Sequence, residues 1–322
     1  MILTILILSI CIPVYTYALY PLILSRLRQK KGVEGLKDKE KKQEITICIV
    51  GDEPREKIEQ LERIDFPFKR ILSKDCFSFN KNDFETDIVI FTDGKSVLSP
   101  DSCSEIIKPF SDPNVACVVG MTKNINGNGL IWKYENYTNR KESVIGCTTS
   151  GNKNLFAIRK EKIPFVDRRI LNPPFYIITQ LFKNRERIIF CEKAIAYVEN
   201  DQKSFKQNLD LCMGYWQILP KTFCFIFPSK HSFVFISHRT LKWFVFINLI
   251  CFYLCNILLI KCNVFYLLLF LLQNAIYIIS FLSISFNLKN RIPFPLNVLI
   301  YFVEINLTYF LSFLKYLFGI IF

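Results

Sequence analysis

The stretch DIVIFTDGKSVLSP, Asp87 to Pro100, decides the fold. Its first half is a run of β-branched and aromatic residues that reads as one buried strand, and Thr92-Asp93-Gly94-Lys95 then delivers a carboxylate to a turn. Upstream, ITICIVGD (45–52) is a second apolar, β-rich run, and EPREKIEQLERI (53–64) has the spacing of an amphipathic helix. Downstream, SPDSCSEIIKPF (99–110) carries a helix-start signature, with Ser99 as cap, Pro100 at the first helical position and Asp101 near the positive end. NVACVVG (114–120) is a further strand. This alternation predicts an α/β layer around a mainly parallel sheet. Ligands of such sheets bind beyond the carboxyl ends of the strands. Asp52 and Asp93 both stand there.

After Gly129 the pattern changes. LIWKYENYTNRKESVIG (130–146) is helical and aromatic, and TTSGNKNLFAIRKE (148–161) reads as a turn feeding a strand. PPFYIITQLFKN (173–184) is a helix, RIIFCEKAIAYVEN (187–200) a strand, and SFKQNLDLCMGYWQILP (204–220) an amphipathic helix leading into an apolar region.

Apolar residues make up 51% of the 322, with 31 Phe, and they concentrate at the two ends. No charge occurs from Met1 to Leu24, and Leu241 to Ile260, Val264 to Phe286 and Pro295 to Phe322 are further runs of about 20 residues, the thickness of a bilayer core. The chain therefore divides into a transmembrane anchor (1–25), a basic juxtamembrane linker (26–43), an α/β domain (44–220) and a C-terminal membrane region of about three helices (221–322). The first segment lacks a basic leader and a small-residue cleavage site, so it is expected to stay as an anchor. Lysines and arginines in Arg26–Lys42, His238-Arg239 with Lys242, and Lys289 with Arg291 predict a cytoplasmic α/β domain in a multi-pass protein.

The net charge of +13 is explained by the basic run beside the first span, which suits anionic headgroups. No basic strand with interleaved aromatics argues for nucleic acid, which is not expected as a partner. The 12 cysteines include no C-x-x-C pair and only 2 histidines occur, so a zinc site is not expected and reduced thiols are.

In order along the chain, these pieces resemble a membrane-embedded family 2 glycosyltransferase of the broad cellulose- and hyaluronan-synthase-like group. YTYALYPLIL (15–24) resembles the first span of bacterial members, and 87–120 their metal-binding strand and following helix. The segment 132–161 resembles the acceptor side with its small-residue turn, 190–200 the late strand, and SHRTLKW (237–243) the entry to the C-terminal spans. The resemblance implies a glycosyltransferase A-type domain, Rossmann-like. It also implies transfer of a sugar from a nucleotide-sugar donor to an acceptor, with a divalent cation, Mn or Mg, held by a D-x-D pair. A carboxylate at the head of a later helix would act as base. A Q-x-x-R-W helix would bind the diphosphate.

Residue by residue, the resemblance implies Asp52, Asp93, Lys95 and Gln207 on the donor side, Trp132, Glu135 and Gly151 on the acceptor side, and Asp93 as metal ligand. The sequence departs from the family at three places. Lys95 stands where the second carboxylate would be, and Asn172, Pro173 and Pro174 where the base would be. Asp210 and Leu211 replace the arginine and tryptophan. The further strand that the family carries between ITICIVGD and DIVIFTD is expected to be missing. Lys95 has two readings: a point charge against a diphosphate in place of the metal, or a solvated turn residue. Glu135 is the candidate substitute base, with aromatic packing as the alternative reading of its helix. Gly151 is expected to serve a turn, and Asp210 to pair with Lys206 one helical turn earlier. His231 and His238 read as interfacial, and Glu304 as an intramembrane carboxyl facing protein or water. The alternative function is a catalytically inactive homologue in complex with an active synthase.

Overall fold

The computed structural model describes residues 1–26, 45–51, 54–64, 66, 68, 70–74, 79–125, 130–199, 205–226, 229–286 and 292–319. Asp52 and the basic linker beyond Arg26 lie outside the described residues. The chain opens with α1 (Ile2–Val14), which passes through one π-helical turn at Tyr15–Leu19 into α2 (Tyr20–Arg26). Two compact units follow from the packing: Leu24–Lys203 with Gln217–Val234, and Met1–Ile23 with Ser204–Trp216 and Phe235–Phe322.

The first of these is the α/β unit. Its elements are β1 (Ile45–Val50), α3 (Pro54–Glu62), β2 (Arg70–Lys74), β3 (Ile88–Asp93), β4 (Val97–Leu98), α4 (Ser102–Ile107), β5 (Val115–Asn124), α5 (Leu130–Val144), β6 (Leu155–Arg159), α6 (Pro173–Lys183) and β7 (Arg187–Val198). The strands form one seven-stranded sheet in the order β2-β1-β3-β6-β5-β7-β4. β1 is parallel to β2 and β3, and β5 to β7. β6 runs antiparallel between β3 and β5, and β4 antiparallel to β7. The sheet is thus mixed, with more antiparallel pairing than the alternation of elements predicts. The reason lies after α5. Cys147 bridges Ile188 in the parallel direction, so the chain climbs beside β7 before it turns and descends as β6.

Side-chain alternation sorts the core onto the two faces of the sheet. Ile45, Ile47 and Ile49 of β1 and Ile88 and Ile90 of β3 pack with Leu61, Ile106 and Phe110 from the helical layer. The opposite face is aromatic: Phe91 stacks on Phe79 at 4.7 Å and on its cross-strand neighbour Phe156 at 4.9 Å. Burial of such rings contributes on the order of 1.5–3 kcal/mol each.

Two expectations about this unit are corrected. β2 supplies a strand between β1 and β3, paired parallel to β1 at the sheet's edge. Its sequence RILSK begins and ends in a basic residue, which suits an edge and hides it from a pattern search. α4 begins at Ser102 with Asp101 in the cap position, later than Ser99. Val97–Leu98 pairs with β7 and the Ser99 amide donates to Ile195 O (2.9 Å), which holds this stretch extended and delays the helix.

The second unit is helical. It contains most of α7 (Phe205–Ile218), then, after α8 (Lys230–Phe235), which belongs to the α/β unit as far as Val234, α9 (Leu241–Trp243), α10 (Val245–Leu259), α11 (Val264–Ser285) and α12 (Leu296–Leu317). Among the described residues, three helices are long and apolar enough to cross a membrane: Ile2–Arg26, Val264–Ser285 and Leu296–Leu317. A fourth span arises only if Lys230–Trp243 and Val245–Leu259, bent by 51°, count as one. α10 alone rises about 22 Å, short of the roughly 30 Å of a hydrocarbon core.

Several polar side chains inside this unit bond to one another, which suits an apolar setting. Trp216 Nε1 donates to Ser312 Oγ at 2.8 Å, and Asn256 donates to Gln273 (3.3 Å), which donates to Tyr277 Oη (2.7 Å). Glu304 is buried. His238 is buried against Tyr20, ring centroids 5.7 Å apart. Asp210 pairs with Lys315 at 3.8 Å, not with Lys206, because α7 turns that carboxylate toward the end of α12.

Candidate functional site

β3 carries Asp93 to its carboxyl end, where the Gly94 amide donates to Val50 O of β1 (3.2 Å) and ties the turn to the neighbouring strand. Asp93 Oδ1 accepts from the Lys95 amide at 2.9 Å, a side-chain brace common at such turns. Asp93 Oδ2 accepts from Lys153 Nζ at 2.5 Å. Lys153 precedes β6, which starts where β3 ends because the two are antiparallel, Thr92 opposite Leu155.

The backbone around that lysine is fixed by a polar network. Thr92 Oγ1 donates to Asn154 O (3.0 Å), Asn154 Nδ2 to Thr122 Oγ1 (3.0 Å), and Asn152 Nδ2 to Gly120 O (2.9 Å). Ser96 Oγ donates to Asp93 O at 2.9 Å. Beneath the turn lies Lys57 of α3, 2% exposed, whose Nζ donates to Ser96 O. Burial lowers its pKa from 10.5 to about 8, while Cys103 and Asp93 pull it back up. Burial likewise pushes the Cys103 thiol up to about 11, opposed by Lys57.

Gly151 sits in the same loop for a steric reason. A Cβ there would lie 2.6 Å from Phe175 Cα and 2.7 Å from its amide nitrogen, so the loop rests directly on the first turn of α6. Close approach, not turn geometry, requires the glycine. At that turn Asn172 caps its own helix, its Oδ1 accepting from the Phe175 amide (3.4 Å), with Pro173 and Pro174 following. Asp167 is held by Arg169 at 2.8 Å, and this hydrogen-bonded pairing keeps its carboxyl well below the usual carboxylate range.

On α5, Glu135 is half-buried, whereas Glu142, two turns later, is fully buried and accepts from both the amide and the hydroxyl of Thr149 at 2.9 Å. That carboxylate fixes the climb from α5 to the loop of Lys153. Lys57, Glu142 and Lys153 were not singled out by the sequence. Of the residues that were, Asp93, Lys95 and Gly151 come from one pair of adjoining loops. Lys95 is exposed, and its ammonium has no hydrogen bond or ion pair among the described residues. Gln207 is exposed on α7, within the helical unit. The Trp132 side chain and Asp52 lie outside the described residues.

No protein-family model matches the chain, and no curated protein does. Solved structures do. A mannosyltransferase from Pyrobaculum calidifontis, in complex with GDP-Man and Mn2+, superposes with a TM-score of 0.73 at 12% identity, over 98% of this chain and 99% of its own. The fold is glycosyltransferase A. Glucosyl-3-phosphoglycerate synthase from Mycobacterium tuberculosis matches with a TM-score of 0.40 at 11% identity, over 58% of this chain and 82% of its own. S. aureus TarS, residues 1–349, matches at 0.39 and 10%, over 65% and 86%.

Because a glycosyltransferase A neighbour carries Mn2+, the donor set here can be tested against that ion. Hard divalent cations need several oxygen ligands. Among the described residues no group of three or more His, Cys, Asp or Glu side chains is placed to hold a metal. Both Asp93 oxygens are already engaged, one by the Lys95 amide and the other by the Lys153 ammonium, which brings a positive charge to that carboxylate. Among the described residues, the donor set at this turn does not fit a divalent cation.

Proposed function

We propose that this chain is a membrane-anchored, glycosyltransferase-like protein of the family 2 kind that takes a nucleoside diphosphate sugar as donor. The observation that carries the reading is the Asp93 turn. It presents a braced carboxylate and two lysines, Lys95 and Lys153, at the carboxyl ends of β1 and β3, with Lys57 buried beneath them. Open α/β sheets bind ligands at that position, and ammonium groups suit a diphosphate. On this reading Asp93 and Lys95 lie on the donor side, and Glu135 and Gly151 belong to the acceptor side. The excess of Lys and Arg beside the apolar helices supports a cytoplasmic α/β unit in a multi-pass protein.

One observation favours a second reading, an inactive homologue that serves as scaffold or regulatory subunit of an active synthase. The head of α6, where the family resemblance puts the base, carries Asn172 and two prolines. The experiment that separates the two incubates the full chain, in membranes lacking other transferases, with radiolabelled uridine and guanosine diphosphate sugars. Release of nucleoside diphosphate coupled to label in an acceptor supports the enzyme. Binding of the nucleotide sugar without turnover supports the scaffold, and no binding contradicts both.

A further inference from the structure

We infer that the nucleotide diphosphate is held here by the ammonium groups of Lys153 and Lys95, with Asp93 acting as the positioner of Lys153 instead of as a metal ligand. The inference rests on the nucleotide-sugar reading above and says what replaces the cation.

Four observations carry it. Asp93 Oδ2 holds Lys153 Nζ at 2.5 Å, so a positive charge already lies where a metal bound to that oxygen would lie. Asp93 Oδ1 accepts from the Lys95 amide, and the Lys95 side chain is exposed, with no side-chain partner among the described residues. The loop of Lys153 is stitched to β3 and β5 through Asn152 and Asn154, so its ammonium is delivered by a fixed backbone. Lys57, buried under the same turn, adds a third fixed positive charge behind the Ser96 carbonyl.

Among the described residues, the Asp93 carboxylate at this turn is outnumbered by the ammonium groups of Lys95, Lys153 and, beneath it, Lys57. A dianionic diphosphate meets this turn without a metal to offset repulsion from a second carboxylate. Lys153 is also 45% exposed, so it reaches an incoming phosphate oxygen while still leaning on Asp93. Lysine acts on phosphate as a point charge and needs no fork geometry, which suits two long side chains supplied by different loops.

The test uses the full chain in detergent with guanosine diphosphate and uridine diphosphate as probes, titrated calorimetrically in excess Mn2+ and again in EDTA. The inference predicts affinities within about threefold of each other in the two buffers. It also predicts a loss of roughly 10- to 100-fold in Lys153→Ala, the size of a charge-assisted hydrogen bond, and largely retained binding in Lys153→Arg. Lys162→Ala, at the other end of the sheet, leaves affinity unchanged. Binding that appears only with Mn2+, or that survives Lys153→Ala intact, overturns the inference and leaves the nucleotide-sugar reading standing. Binding of neither probe in either buffer overturns both. The EDTA arm uses the wild-type chain, so it decides even if a variant fails to fold.

Discussion

Two carboxylate–cation pairs lie at opposite ends of the same sheet, and they are built differently. At the amino ends of β5 and β7, Arg187 donates to Asp112, and Arg159 donates to the carbonyls of Val115 (2.8 Å), Phe110 (2.8 Å) and Asp112 (3.1 Å). At the carboxyl end of β3, Lys153 makes a single contact with Asp93. The arginine end locks backbone to backbone through a planar fork with several donors. The lysine end is one point charge on a long stem beside an open turn. The first arrangement suits holding the fold together, and the second suits exchanging one oxygen partner for another.

The comparison is broken most directly at the arginine end. Arg159→Ala removes three hydrogen bonds to backbone carbonyls and should cost about 3 kcal/mol, at roughly 1 kcal/mol per lost hydrogen bond. A thermal unfolding series in detergent reads this as a clear drop in midpoint. A midpoint equal to wild type would mean the fork is not structural.

Gly151→Val comes next, because the added Cβ meets the backbone of Phe175 and α6 must shift. Overpacking of this kind costs about 2 kcal/mol. If Gly151 served only a turn, as the sequence suggested, the same substitution in a backbone of ordinary φ would be nearly silent.

How much of this was legible beforehand follows from the range of each interaction. β1 and β3 announce themselves because their apolar runs are local and end in turn residues, and the α/β class with apolar helices followed from them. β2 escaped because five residues with basic ends look like surface. The pairing of Asp93 with Lys153 spans 60 residues, and nothing in TTSGNKN marks its lysine as belonging to the turn after β3. Lys57 reads as one more charge on a polar helix, and its burial and its bond to the Ser96 carbonyl arise only in the fold. The bend between Trp243 and Val245 is equally silent, since an apolar run reports its length and not its direction. Asp210 was assigned a local partner by helical spacing, and the long-range contact to Lys315 won.

A smaller effect sharpens the lysine end. The unfolded chain holds Lys57 protonated up to about 10.5, the folded chain only to about 8, so between these values the unfolded state binds more protons and stability rises with pH. Against Lys57→Met, the wild type should therefore gain about 1 kcal/mol between pH 7 and pH 9. A difference between the two proteins that stays flat across that range would contradict the desolvated ammonium. Smallest of all is Lys153→Ala on stability. A half-exposed ion pair contributes about 0.5 kcal/mol, so the unfolding midpoint should barely move. A loss as large as that of Arg159→Ala would erase the distinction between the two ends of the sheet.

The most direct measurement is a structure of the full chain with guanosine or uridine diphosphate, grown or frozen in the presence of Mn2+, with anomalous scattering used to find the metal. The account predicts phosphate oxygens within hydrogen-bond distance of the Lys153 and Lys95 ammonium groups and no Mn2+ on Asp93. A manganese peak bridging Asp93 and the diphosphate, with Lys153 swung away, would contradict it.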